Sequence, residues 1–236
     1  MSETQTKHPV LLVVHGARSR PGRVEAAINA KGWPTKRCCV KQGDALPERL
    51  DGHAGVVIFG GPMSANDDHL DFIRAELDWI PKVLDSGTPF FGVCLGAQML
   101  ARCLGGKVGP HPDGLYEVGY YPLEPTPQAN GLFNGSLQVF HWHGEGFEVP
   151  DCAELLGTGT IFPNQAFRCG DRAYGVQFHP EMQAETLDLW SDQGWKKKPW
   201  PGGHPPDVQR EQHARYGAAM HRWLDDFIDT WLGGAS

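Results

Sequence analysis

Pro89-Phe90-Phe91-Gly92-Val93-Cys94-Leu95-Gly96-Ala97-Gln98 is the stretch whose reading decides the fold. Pro89 to Val93 is a short continuous apolar run, the pattern of a strand buried on both faces of a parallel sheet. Leu95 to Leu104 follows as a helix, stopped by Gly105-Gly106. Between them, Gly92-Val93-Cys94-Leu95-Gly96 is the cysteine form of a strand–turn–helix nucleophile elbow. The glycines suit a tight turn whose backbone packs closely. A cysteine at a helix N-terminus sits at the positive end of the dipole, which favours thiolate. The free amides of that first turn can bind a developing oxyanion.

Working outward, the same alternation recurs. Val10 to Val14 is an apolar run ending in His15-Gly16, and Gly55 to Phe59 is another, closed by Gly60-Gly61-Pro62. Arg23 to Lys31 and His69 to Leu84 read as helices, the second with Phe72, Leu77, Ile80 and Leu84 near the helical period. Arg37 to Val40 is strand-like, and Ala173 to Phe178 is a further buried strand. Strands alternating with helices predict an α/β fold, a central mostly parallel sheet flanked by helices. Lys107 to Thr160 differs: short strand-like pieces, Glu117 to Leu123 and Leu137 to Trp142, lie among many glycines and prolines. It reads as a smaller, mostly antiparallel β region covering one end of the sheet. Residues 1–9 form a polar tail, and 190–206, rich in Trp, Lys, Pro and Gly, reads as a long loop. Tyr216, Met220, Trp223, Phe227 and Trp231 then mark one apolar face of a C-terminal helix over 207–232. The length of 236 residues suits a single domain over the whole chain.

Composition narrows the function classes. A net charge of −7 argues against a nucleic-acid partner, which favours a basic surface. No apolar run approaches the ~20 residues of a membrane span, and the N-terminus lacks an apolar signal core. The six cysteines show neither a disulfide framework nor a CxxC zinc spacing, so a reduced, cytoplasmic protein is expected.

A thiolate needs a base, and His179 in the string His179-Pro180-Glu181 is the candidate. If the chain stays extended through Pro180, residues 179 and 181 project to the same side, and the Glu181 carboxylate can hold the imidazole tautomer. Strand ends of an open parallel sheet are where such sheets bind ligands. His141 and His143, two apart on a strand, share a face and could bind metal. A bare His-x-His is weak evidence and the sequence shows no further ligand cluster beside it, so packing or pocket duty is expected, with no metal and no cofactor. Lys196-Lys197-Lys198 reads as a solvated run, or as part of a lid or docking loop flanked by Trp190, Trp195 and Trp200.

Three segments together resemble the class I glutamine amidotransferases, a flavodoxin-like fold family. Pro89 to Lys107 is similar to the family's nucleophile segment. Tyr174-Gly-Val-Gln-Phe-His179-Pro-Glu181 resembles its second signature, and Ile58-Phe-Gly60-Gly61-Pro62-Met-Ser64 its oxyanion loop. The resemblance spans Val10 to Glu185. It implies that Cys94 attacks the side-chain amide of glutamine to form a γ-glutamyl thioester. His179 would take the thiol proton and protonate the leaving ammonia, and Glu181 would orient His179. The amides of Gly61 and Leu95 would form the oxyanion hole. Gln98 and Gly60, and more weakly Trp142, Gly144 and Glu145 of His141-Trp142-His143-Gly144-Glu145, would bind the substrate.

Family members differ in where the ammonia goes. The chain carries no G-x-x-x-x-G-K-[ST] loop, so a separate synthase subunit would use any ammonia released. Trp142 to Glu145 and Glu117 to Tyr121 point toward stand-alone members resembling the glutaminase domain of GMP synthetase. The same triad in a γ-glutamyl peptidase cleaves γ-glutamyl peptides or conjugates without a partner. A non-catalytic binder with this fold is disfavoured by the intact Cys–His–Glu set. Neither the acceptor nor the oligomeric state is named by the sequence.

Overall fold

The computed structural model describes residues 7–197 and 200–233. Five parallel strands form one half of a nine-stranded sheet: β1 (Val10–Val13), β2 (Thr35–Cys38), β3 (Gly55–Ile58), β4 (Phe90–Val93) and, last in sequence, β11 (Ala173–Val176), in the spatial order β2-β1-β3-β4-β11. The apolar runs at β1, β3, β4 and β11 are buried at every position. Alternate side chains serve opposite faces, as the strand period requires. Val10 and Leu12 pack with α1 (Gly22–Ala30) and α5 (Pro206–Leu232), while Leu11 and Val13 pack with α2 (Asp71–Asp85) and α3 (Leu95–Cys103).

The long helix α5 closes one face. Met220, Trp223, Phe227 and Trp231 are all buried, as their spacing predicts. Phe227 meets Phe91 of β4 at 4.6 Å between ring centroids and stacks with Trp223 and Trp231 along its own helix. Burying each such ring stabilises the fold by about 1.5–3 kcal/mol. Ion pairs from Arg23 to Asp225 and Lys31 to Asp229 tie α1 to α5 at the rim.

Two expectations are corrected. The middle of the chain is antiparallel as expected, but it continues the sheet from β11 outward instead of covering its end. β10 (Asn164–Cys169) pairs antiparallel with β11, then β9 (Ala153–Thr158), β6 (Glu117–Pro125) and β7 (Leu137–His143) follow in space. Among the described residues, β5 (Val108–Pro110) and β8 (Glu145–Phe147) form a separate two-stranded piece. Frequent Gly and Pro signalled short strands but carried no information on which edge they join. Residues 190–206 are also not a loop throughout. Trp190 to Gly194 end α4 (Ala184–Gly194), and Trp195–Lys197 form one 3-10 turn. The helix persists because Arg210 of α5 reaches Asp188 and Asp192, and Ser191 donates to Gln209 across the α4–α5 contact. Lys198 and Pro199 lie outside the described residues, as do residues 1–6 of the polar tail. The described cysteines carry no disulfide. No helix among the described residues is long and apolar enough to cross a membrane.

Candidate active site

Four parallel strands, β1, β3, β4 and β11, end side by side, and the candidate site residues stand just past their C-terminal ends. β4 ends at Cys94, which begins α3 with φ 51 and ψ −104. A non-glycine residue there costs roughly 1–3 kcal/mol and persists only where its surroundings over-determine it. Here the Cys94 N–H donates to the Val176 carbonyl at 2.8 Å, and the Cys94 carbonyl accepts from the Gln98 N–H at 3.0 Å, opening the helix. The flanking glycines are sterically required. A Cβ at Gly96 would lie 2.1 Å from the Ile58 carbonyl oxygen, and one at Gly92 would lie 2.6 Å from the Gly96 carbonyl. Leu95 is the first helical residue, so its N–H has no acceptor within α3.

His179 follows β11. Its N–H donates to the Phe140 carbonyl at 2.7 Å, and its Nδ1 lies 2.7 Å from Oε1 of Glu181. The route to this pair differs from the extended geometry expected. Pro180 and Glu181 form a turn, closed by the Met182 N–H on the His179 carbonyl at 3.3 Å. The Glu181 carbonyl accepts from the Arg23 N–H at 3.0 Å, at a spot where only a glycine at position 22 fits. Burial disfavours the imidazolium of His179, but the Glu181 carboxylate and Cys94 outweigh it and push the pKa up to about 10. Cys94, His179 and Glu181 are 5%, 2% and 5% exposed. The second ring nitrogen of His179, Nε2, is buried and has no hydrogen-bond partner among the described residues.

Gly60, just past β3, lies between the two: a Cβ there would stand 2.7 Å from Cε1 of His179 and 3.5 Å from Cβ of Cys94. Gly61 packs on His15, with its Cβ position 3.1 Å from the His15 ring. The side-chain nitrogen of Gln98 is engaged within the protein. Its Nε2 donates to the Glu145 carbonyl at 2.8 Å and to Oε1 of Gln177 at 3.2 Å. Glu145 also accepts from Ser64 Oγ at 2.7 Å, so it bridges the segment after Gly60-Gly61 to α3. Gly144 backs directly onto the Tyr116 ring. Trp142 belongs to an aromatic wall: it contacts Trp190 and Trp200, and Trp190 meets the His179 ring edge-on at 5.1 Å between centroids.

Four residues near the site carry no role in the sequence reading. His15 bonds the Gly60 carbonyl and Glu76; Gln177 donates to Sγ of Cys94 at 3.6 Å; Glu117 faces both His141 and His143. Strand register was the signal that could have found His15, Gln177 and Glu117. Val13 pairs with Ile58, so two residues on His15 reaches Gly60; Val176 pairs with Val93, so Gln177 reaches Cys94. Glu117 pairs across from His143.

Glu117, His141 and His143 offer three ligand atoms within 4.8 Å of one another, so they could hold a metal ion. Three is one short of a structural zinc set. The same contacts make a hydrogen-bonded charge network. His143 Nδ1 donates to the Glu145 carbonyl at 2.9 Å, and Gln165 donates to Glu117 at 2.8 Å. Burial takes the His141 ring down to about 3; on the Glu117 carboxyl burial pushes upward, but the neighbouring His141 and His143 rings and the Gln165 hydrogen bond outweigh it and bring it down to about 2. The network fixes the Glu145 carbonyl on which Gln98 rests.

Residues 35–189 match the family described as glutamine amidotransferase class-I. The chain belongs to this family. The glutamine amidotransferase-like protein YfeJ of Salmonella typhimurium is 30% identical over 190 residues, 76% of this chain and 78% of that protein. A glutamine-hydrolysing GMP synthase of Porphyromonas gingivalis is 37% identical over 155 residues, 61% of this chain but 28% of the synthase. The crystal structure of a glutamine amidotransferase from Methylobacillus flagellatus superimposes with a TM-score of 0.88 at 28% identity, covering 97% of this chain and 95% of that one. Membership in the class I glutamine amidotransferases supports an amidohydrolase role, hydrolysis of the glutamine side-chain amide.

Proposed function

We propose that this class I glutamine amidotransferase hydrolyses glutamine through a γ-glutamyl thioester on Cys94. The observation that carries the reading is the Glu181–His179 contact at 2.7 Å beside a cysteine held at positive φ on a helix N-terminus. Sγ of Cys94 adds to the amide carbon, and the oxygen takes up the negative charge. The N–H groups of Gly61 and Leu95 are the proposed donors to it. The His179 imidazolium gives its proton to the departing nitrogen, and ammonia leaves. Water then adds to the thioester with His179 as base, the C–S bond breaks, and glutamate is released with Cys94 regenerated. Glu181 acts through His179, holding Nδ1 protonated and the ring in place.

The burial of Cys94, His179 and Glu181 supports ammonia, the smallest leaving group. In the γ-glutamyl peptidase reading the leaving side needs room for a second residue, and the Trp142, Trp190 and Trp200 wall beside His179 would border that room. The ammonia would pass to a separate synthase subunit. That part rests on the likeness to GMP synthases, of which this chain spans 28%. Separate incubations with L-glutamine and with γ-glutamyl dipeptides, glutamate being quantified by mass spectrometry, test both readings. Turnover of dipeptides alone would replace the first reading with the second.

A further inference from the structure

His15 ends β1 as a buried histidine outside the Cys94–His179–Glu181 set. Its Nδ1 lies 3.0 Å from the Gly60 carbonyl oxygen, and its Nε2 lies 2.9 Å from Oε2 of Glu76 on α2. Neither side chain has exposed surface. A carbonyl only accepts, so Nδ1 carries a proton toward Gly60. Burial opposes the charged ring, but the Glu76 and Gly60 contacts prevail and raise the His15 pKa.

This pair is expensive as mere packing. Glu76 is fully buried on the sheet-facing side of α2, and its second oxygen, Oε1, has no hydrogen-bond partner among the described residues. An apolar pair of similar volume at such a place is generally neutral or stabilising. What the pair holds is specific. The Gly60 carbonyl and the Gly61 N–H belong to one planar trans peptide, so fixing the oxygen sets the direction of the N–H. Two glycines in succession leave this segment otherwise free to rotate.

We propose that His15, braced by Glu76, is a positioning residue that locks the Gly60–Gly61 peptide, its carbonyl toward β1 and its N–H opposite. The catalytic consequence rests on the reading of the Gly61 N–H as an oxyanion donor. The lock makes that donor preformed in the isolated chain, with no partner needed to turn the peptide.

The test compares His15→Asn, which keeps an N–H at the Nδ1 position, with His15→Gln, which keeps one only at the Nε2 position. Crystal structures are expected to show the Gly60 carbonyl in its wild-type direction in His15→Asn and rotated or split in His15→Gln. With glutamine, kcat is expected to fall by about 10–100-fold in His15→Gln, less than the roughly 10²–10³ of deleting an oxyanion donor outright. KM is expected to stay within about twofold and His15→Asn to recover most of the loss, because the donor acts in the transition state. Alkylation of Cys94 by iodoacetamide, which builds no oxyanion, is expected to be unchanged in both. An unmoved Gly60 carbonyl in His15→Gln would overturn the lock whatever the activity. A moved carbonyl with unchanged kcat would leave the lock standing and remove Gly61 from the oxyanion hole.

Discussion

His179 and Glu181 are joined across a single turn: Nδ1 of the imidazole lies 2.7 Å from Oε1 of the carboxylate two residues later. The carboxylate raises the His179 pKa, which reaches about 10 against the ring's ordinary 6.5. In Glu181→Gln that contribution is gone, so the alkaline limb of kcat, expected near pH 10 in the wild type, moves to lower pH. A group whose pKa is raised on folding stabilises the protein fully below its unfolded pKa and loses that contribution as pH rises through the folded value. The Tm of the wild type is therefore expected to fall between about pH 6.5 and 10 more steeply than that of Glu181→Gln. The rate at neutral pH is expected to drop by about 10²-fold, less than for loss of the nucleophile. Superimposable pH profiles for the two proteins would show that Glu181 does not act on His179.

Much of this was legible in the sequence for a physical reason. A parallel strand buried on both faces must be apolar throughout, so β1, β3, β4 and β11 announce themselves, and the residue just past each strand end is where a site belongs. Cys94, Gly60 and His179 are found that way. Glu76 is not, because one acidic residue on a helix looks solvated until the sheet facing it is known. The edge that β10, β9, β6 and β7 extend was hidden for the same reason, since antiparallel pairing between distant segments leaves no local mark. Trp190 to Gly194 read as loop because the Arg210 contacts that hold them helical come from another element.

Two glycines separate function from stability. In Gly60→Ala the new methyl group meets Cε1 of His179 at 2.7 Å, a side-chain atom and not backbone. The expected result is a protein folded near its wild-type Tm with kcat reduced by about 10²-fold, since small misplacements at the reacting centre cost that much. In Gly96→Ala the methyl group lies 2.1 Å from the Ile58 carbonyl, and backbone must move. That variant is expected to lose about 3 kcal/mol or more in chemical denaturation. Equal effects of both on Tm would mean that Gly60 is a packing position and not the floor between nucleophile and base.

Trp190 stands beside His179, the proposed acid for the leaving group. Its ring stands edge-on to His179 at 5.1 Å and is backed by Trp142. Trp190→Ala is expected to raise kcat/KM for γ-glutamyl dipeptides relative to glutamine by about tenfold, roughly the 1–3 kcal/mol that a change in pocket volume is worth. Steady-state kinetics on both substrates check this, and an unchanged ratio would place the leaving group elsewhere.

Cys94 is the proposed carrier of the γ-glutamyl thioester. Purified wild-type protein and Cys94→Ala, given L-glutamine, should be followed by mass spectrometry for free glutamate and for an adduct on the intact chain. The account predicts glutamate and ammonia in equal amounts from the wild type and neither from Cys94→Ala. It also predicts a γ-glutamyl adduct confined to the peptide containing Cys94 after acid quench. Glutamate release that survives in Cys94→Ala, or an adduct on another residue, would contradict it.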